Sequence, residues 1–476
     1  MKKKELKNSV EQYTDVDKKI FEGYLKSHGK PVTRRQFLAS GLIPGAAALT
    51  MPTLYDILTR HNILHAANAA CATGGNDMIP ILNVNLDGGA AMSGNLIPMD
   101  KGGQLMASYS QIGSNDIVNE ITRPFGETSA AFSVQSGIAQ GIQNTMGLNA
   151  QNVAAIGFMA GSTDDSNSNY WGINGFINRA GVAGTILPDL GQNVNQQAYF
   201  TPPSALNVGS FADIEAAIGV GGALDLLNKT QKGKLLKVIE NLSASQARKL
   251  AQQSGGKTLN QLIEDATGLN TELLTANDLG IDPSTNAGFQ NVWTDANGNL
   301  VNQAQAAVTF NVLNKTSGMG SINMGGYDYH GANNRVTQNT RDLQAGEMVG
   351  RIMQSAAILG KPVVVTVTSD GAVSSSDGVN FSSDSGNRGL AMMFLYHPSR
   401  KPTVLKGQVG AYKNQVVDTD SSLIIGGNEA LATAAMFANY MAFNGKLNET
   451  EAATGRLDEI NKNYDKLVVV ADEKIS

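Results

Sequence analysis

The sequence predicts an α/β fold in which a largely parallel β-sheet is flanked by helices and interrupted by a helical insertion. Three observations carry this reading. Short apolar runs rich in β-branched residues recur along the chain, with the length and composition of buried strands. Two of these runs enclose a long segment of helical spacing, which makes a strand, helix, strand unit. Residues 212–280 differ in character and read as one amphipathic helix after another.

The bulk numbers agree. With 476 residues, 42% hydrophobic and 16% charged, the chain is globular in composition and long enough for one large α/β domain with an insertion. We divide it into an N-terminal segment at 1–70, a first part of the α/β domain at 71–211, the insertion at 212–280 and a second part at 281–476. A single cysteine, Cys71, excludes an intramolecular disulfide and any zinc site built on several thiolates. Residues 1–70 hold 11 of the 36 basic and 6 of the 41 acidic side chains, which leaves 25 and 35 beyond them, a net of −10. A body so acidic, without a basic stripe, does not read as a nucleic-acid binder.

The first element is a leader. Thr33-Arg34-Arg35-Gln36-Phe37-Leu38 opens an uncharged stretch that runs to Tyr55, and small residues follow at Ala67-Asn68-Ala69. A basic region, a modest apolar region and an A-x-A site make an export signal, and the paired arginines resemble those of the twin-arginine type. Gly41, Pro44, Gly45 and Pro52 weaken the stretch as a lasting membrane helix, so removal of the signal is expected rather than anchoring. The twin-arginine translocation machinery is then a partner, and the periplasm or the extracellular space the destination. That route carries proteins already folded, often around a metal or cofactor. No further apolar run reaches the ~18 residues of a membrane span, so the mature body is expected not to be membrane-embedded.

Strands are expected at Ile79 to Leu86, Val153 to Met159, Met319 to Met324, Pro362 to Thr368 and Met392 to Tyr396. Between the third and fourth, Leu343, Met348, Val349, Ile352, Met353, Ala356 and Ala357 give Gln338 to Leu359 a helical period. In the insertion the expected helices are Glu215 to Leu227, Gly233 to Leu242, Ser243 to Gln253 and Leu259 to Ala266, with Ser243 and Thr258 as N-caps. Trp293-Thr294-Asp295-Ala296-Asn297-Gly298-Asn299 invites a calcium-loop reading, but its glycine comes too early and no glutamate closes it. A hairpin turn at Asn297-Gly298 is expected instead.

Chemistry-bearing residues gather where strands end. Asp87 follows the first strand, Asp328 and His330 the third, and Asp370 the fourth. Carboxyl ends of parallel strands share one edge, where α/β folds bind ligands. Carboxylate oxygen and imidazole nitrogen together suit one divalent ion. Each aspartate has an alternative use as a turn or helix cap, and His330 as an ordinary loop histidine. His28, His61 and His65 belong to the leader, and His397, before Pro398, is expected to pack at a strand end.

The leader, Gly88-Gly89 after the first strand, the Gly325-Gly326-Tyr327-Asp328-Tyr329-His330 motif, the helix behind it and Ser369-Asp370-Gly371 occur in the order of a known family. The chain resembles exported bacterial proteins of unassigned function that are related to sulfatases, within the alkaline phosphatase superfamily. The resemblance implies an alkaline phosphatase-like fold and one or two divalent metals at the carboxyl ends of a parallel sheet. Asp328 and His330 match the family's Asp-Thr-His pair, and Asp384 opens the segment where Asp-His-Gly is expected. There Ser385 replaces the histidine, and Ser166-Asn167-Ser168-Asn169-Tyr170 lacks the histidine of the family's Ser-His-Phe.

Two functions from different classes follow. In the first, the protein is a metal-dependent hydrolase of phosphate or sulfate esters, small or on a glycan. Asp87, Asp328, His330, Asp370 and Asp384 hold zinc, manganese, calcium or magnesium, and Ser162, Thr163, Ser166 or Ser168 is the nucleophile. In the second, the scaffold is kept for non-catalytic binding or surface assembly, as the two missing imidazoles suggest. A redox role has only the export route behind it, since no dinucleotide fingerprint, haem motif or cysteine cluster is present.

Overall fold

A computed structural model describes residues 78–114, 121–161, 173–180, 182, 187, 189–192, 206–217, 280–330, 334–369, 371–454 and 457–471. The leader and Cys71 lie outside the described residues, as do nearly all of the insertion, Asp370, and Ser162, Thr163, Ser166 and Ser168.

One eight-stranded sheet organises the molecule, and its strands alternate with helices as the sequence predicts. In chain order its strands are β1 (Ile81–Leu86), β2 (Val153–Met159), β3 (Leu190–Gln192), β4 (Leu206–Asn207), β5 (Gly320–Met324) and β6 (Val363–Ser369). A two-stranded hairpin, β7 (Val373–Ser375) with β8 (Phe381–Asp384), stands apart from the sheet. The sheet resumes with β9 (Leu390–Tyr396) and β10 (Gln408–Val409), in the spatial order β10-β2-β9-β6-β1-β5-β3-β4. Every pairing is parallel except those of β9, which runs antiparallel to both β2 and β6.

The reversal has a simple cause. Only the β7–β8 hairpin separates the end of β6 from the start of β9, too little chain for a crossover back to the other edge. Strand β9 therefore starts at the edge where β6 ends. Leu390 pairs with Met159, the last residue of β2.

Both faces of the sheet are covered, so its strands are apolar on both sides. Leu82, Val84, Leu86, Ile322, Val365 and Val367 face one core, packed by α1 (Gly137–Met146), α6 (Asn334–Ile358) and the all-round buried α5 (Gln303–Leu313). Ile81, Ile156, Phe158, Val364, Met393 and Leu395 face the other. There α7 (Glu429–Phe443) contributes Met436, Phe437, Tyr440 and Met441, and α2 (Asn174–Arg179) contributes Ile177. The remaining helices are shorter, among them α3 (Phe211–Ala217), the described start of the insertion, and α4 (Ala287–Val292).

Helices α1 and α6 lie side by side in the same direction, and glycine is the reason they can. A Cβ on Gly137 would lie 2.7 Å from the Leu343 nitrogen, and one on Gly141 would lie 2.5 Å from the Glu347 nitrogen. Gly346 and Gly350 answer from α6, facing Ile138 and Thr145. Ser136 caps α1, accepting from the Ala139 amide and donating to Asn95 Oδ1 at 2.8 Å.

The expected hairpin at Asn297-Gly298 is present. Thr294 and Leu300 bridge antiparallel, Gly298 takes φ +83°, and the Asp295 carboxylate accepts from the amides of Asn297 and Asn299. Those hydrogen bonds hold its carboxyl below the usual carboxylate range. No helix among the described residues is long and apolar enough to cross a membrane.

Candidate metal centre

The strand ends align. Leu86 is in register with Met324 on one side and with Ser369 on the other, so the segments after β1, β5 and β6 leave the sheet at one level. Backbone bonds continue past the strands: the Asp87 amide donates to Met324 O at 3.0 Å and the Tyr327 amide to Asp87 O at 3.1 Å. Ser369 locks the other side. Its buried hydroxyl donates to Leu86 O and accepts from the Ala90 amide, both at 2.8 Å.

Glycine lets the first loop fold onto the second. Gly88 has φ +111°, and a Cβ there would lie 2.7 Å from Asp328 Cβ and 2.8 Å from its backbone nitrogen. The first glycine of the Gly-Gly pair that follows the first strand is thus the surface against which Asp328 rests.

From Tyr327 to His330 the side chains alternate as in an extended strand. Tyr327 and Tyr329 are each 1% exposed, while the Asp328 and His330 side chains are 53% and 48% exposed. The tyrosines anchor the segment from below: Tyr327 donates to Arg341 O at 2.8 Å and Tyr329 to Asp342 Oδ1 at 3.2 Å. Burial, helped by the nearby Asp342, pushes both phenols well above their ordinary range.

Asp384 arrives from the end of β8. The register of β7 with β8 shifts between Phe381 and Ser383, and Asp384 stands exposed above the edge. His330 Nδ1 touches Asp328 Oδ1 and lies 3.2 Å from Asp384 Oδ1. One ligand atom from each of the three residues lies within 4.8 Å of the others. The donor set fits a divalent cation, and the 3.2 Å between His330 Nδ1 and Asp384 Oδ1 is close to the roughly 3.3–3.6 Å that separates ligand atoms around zinc at about 2.0–2.2 Å in a tetrahedral shell. Charge agrees as well: one imidazole nitrogen faces two carboxylates and has at most one proton to offer them.

Of the residues named from sequence, the structure brings together Asp328, His330 and Asp384. Asp87 is on the same edge, half-buried, outside this group of three. The chain also reaches Gly161 at this edge, where its amide donates to Gly426 O at 3.1 Å, before entering the segment with the candidate hydroxyls. Ser385, standing where the resemblance places an imidazole, accepts from Arg388 Nη1 at 2.8 Å. His397 follows the far end of β9, at the opposite edge, so it takes no part. Burial and the neighbouring Arg400 hold its imidazole below the usual range.

The residues supporting the site are absent from the sequence reading. Asp342 joins Tyr329 to Asn95 Nδ2, 2.7 Å from its other oxygen, and Phe381 stacks on Tyr329. Alternation of aromatic and polar residues in Tyr327-Asp328-Tyr329-His330 is the trace of this lower layer that a reader of the sequence had available. Compared with known proteins, the chain matches no protein-family model and no curated protein.

Proposed function

We propose that the protein is an exported, metal-dependent hydrolase of phosphate or sulfate esters on an alkaline phosphatase-like scaffold. One observation carries the reading: Asp328, His330 and Asp384 converge from two separate segments at the carboxyl edge of an α/β sheet, each exposed enough to meet a substrate. Mixed oxygen and nitrogen ligands favour zinc or manganese over calcium or magnesium. Bound there, such an ion would polarise a phosphoryl or sulfuryl oxygen. Asp328, His330 and Asp384 would hold it, with Asp87 and Asp370 as the further carboxylate candidates, and a hydroxyl among Ser162, Thr163, Ser166 and Ser168 would attack the phosphorus or sulfur, its proton passing to the ester oxygen, which leaves as the alcohol. The twin-arginine leader would send the folded protein, metal included, to the periplasm or beyond through the translocation machinery.

Elemental analysis of the mature protein beside His330→Ala tests this first. One zinc or manganese per chain, lost in the variant, and turnover of aryl phosphate or sulfate esters abolished by Asp328→Ala are the expected results. No metal in either protein would sink the proposal. Stoichiometric metal without turnover would favour the second reading, a non-catalytic binding or surface-assembly protein. The observation on its side is Ser385, engaged by Arg388 where the resemblance calls for another imidazole.

A further inference from the structure

The three ligand side chains are between 38% and 53% exposed, so their own packing does little to hold them. Long-lived geometry at such a site has to come from the layer beneath, because free rotamers of exposed side chains cost entropy to align. In that layer a direct contact joins the two ligand-bearing segments. Tyr329, between Asp328 and His330, stacks on Phe381 with ring centroids 6.2 Å apart and planes 15° from parallel. Phe381 belongs to β8, the strand that ends in Asp384. Both rings are buried, at 1% and 0% exposure.

The stack is itself tied down. Tyr329 donates to Asp342 Oδ1, Asp342 Oδ2 accepts from Asn95, and Asn95 Oδ1 accepts from the Ser136 hydroxyl at the start of α1. Rotation of the Tyr329 ring is thereby set by the helix layer, while its face sets the position of β8. The irregularity after Phe381 then aims Asp384 upward at His330.

We infer that Tyr329 and Phe381 are positioning residues that fix the distance between the Asp328/His330 segment and Asp384. The inference rests on the metal-site reading above, and its test separates the two. Manganese affinity is measured by titration calorimetry on the wild-type protein and on Phe381→Leu, Phe381→Tyr, Tyr329→Leu and Tyr329→Phe, with circular dichroism to establish folding. Loss of either ring should weaken binding by about 10- to 100-fold, the usual consequence of removing an outer partner of a ligand. The ring-preserving variants should stay close to wild type. A role in stability alone would lower the melting temperature of the leucine variants and leave the affinity of the folded protein unchanged.

Crystal structures of the same variants without metal give the second readout. Asp384 should move out of hydrogen-bond reach of His330 in the leucine variants and stay within it in Phe381→Tyr. If the wild type binds no manganese and elemental analysis finds no zinc in it, while this displacement is still seen, the metal reading fails and the positioning role stands. If both leucine variants keep the contact and the wild-type affinity, the positioning role is overturned. Because the two leucine variants cut the stack from opposite sides, one that does not fold leaves the other to decide.

Discussion

At Gly88 a single hydrogen in place of a side chain determines where a candidate metal ligand sits. Alanine there meets two costs. Its φ of +111° is a conformation L side chains rarely adopt, and its Cβ would fall 2.7 Å from Asp328 Cβ. Strain and overpacking together give roughly 2–4 kcal/mol of destabilisation. Gly103 separates the two, since it has φ +74° but nothing within 4 Å of an added Cβ. Gly103→Ala should cost only the conformational part, about 1–2 kcal/mol, and leave metal affinity alone. Gly88→Ala should shift the urea midpoint further and also weaken manganese binding, because Asp328 must move. Equal effects of the two variants on midpoint and affinity would contradict the contact. The pair shows what sequence makes legible at this scale. Two glycines after a strand announce a turn; the residue that needs the space, 240 positions later, is visible only in the fold. Asp328 and His330 are readable as partners because an extended segment puts alternate residues on one side. Asp384 becomes their neighbour through a hairpin and a register shift, and neither has a sequence signature of its own.

Between elements, the contact of α1 with α6 sets two opposing effects against each other. In an isolated helix Gly141→Ala would stabilise by about 1 kcal/mol. Here the new Cβ would sit 2.5 Å from both Leu343 O and Glu347 N, backbone atoms that can yield only if the helices separate. Overpacking of this kind costs about 1–3 kcal/mol, and we place Gly141→Ala in the upper part of that range because the clash is with backbone. The clash therefore outweighs the propensity. The denaturation midpoint should fall with little change in the slope against urea, whereas a rise in midpoint would mean the helices are not this close. Both glycine pairs are four residues apart, 137 with 141 and 346 with 350, a spacing plain in the sequence; which helix each faces is not. Helix α6 itself is expected at 338–359 and found at Asn334–Ile358, because its apolar period extends over many turns. Its glycine-rich partner has too few large apolar residues to announce itself. Helix α7 is buried almost all round, and with no polar face it has no amphipathic period to read. Strand β9 shows the reverse situation: its apolar run is plain, but its direction follows from how little chain separates it from β6.

The whole molecule puts tyrosine where charge cannot follow. Tyr109, Tyr327, Tyr329 and Tyr412 are each at most 1% exposed, and burial raises all four phenols above their ordinary value of 10.0. Their distribution reflects the architecture. Tyr327 and Tyr329 lie under the carboxyl edge, while Tyr109 and Tyr412 hydrogen-bond to Pro98 O and Gly389 O. Raised phenol values make stability depend on alkali in a definite direction. Below pH 10 both folded and unfolded chains keep these protons, so the contribution is complete and flat. Above pH 10 the unfolded chain releases protons that the folded chain retains, so stability falls, and it goes on falling until the folded-state values are passed. The melting temperature should therefore decline steeply above about pH 10, with several tyrosines acting in concert. Absorbance of phenolate near 295 nm, followed alongside circular dichroism, identifies the cause. Tyr109, Tyr327, Tyr329 and Tyr412, with the equally buried Tyr396 and Tyr440, should ionise only as the circular dichroism signal collapses. Complete tyrosine ionisation in a protein that still melts cooperatively would show that these rings are open to water, and the anchoring layer beneath Asp328 and His330 would have to be redrawn.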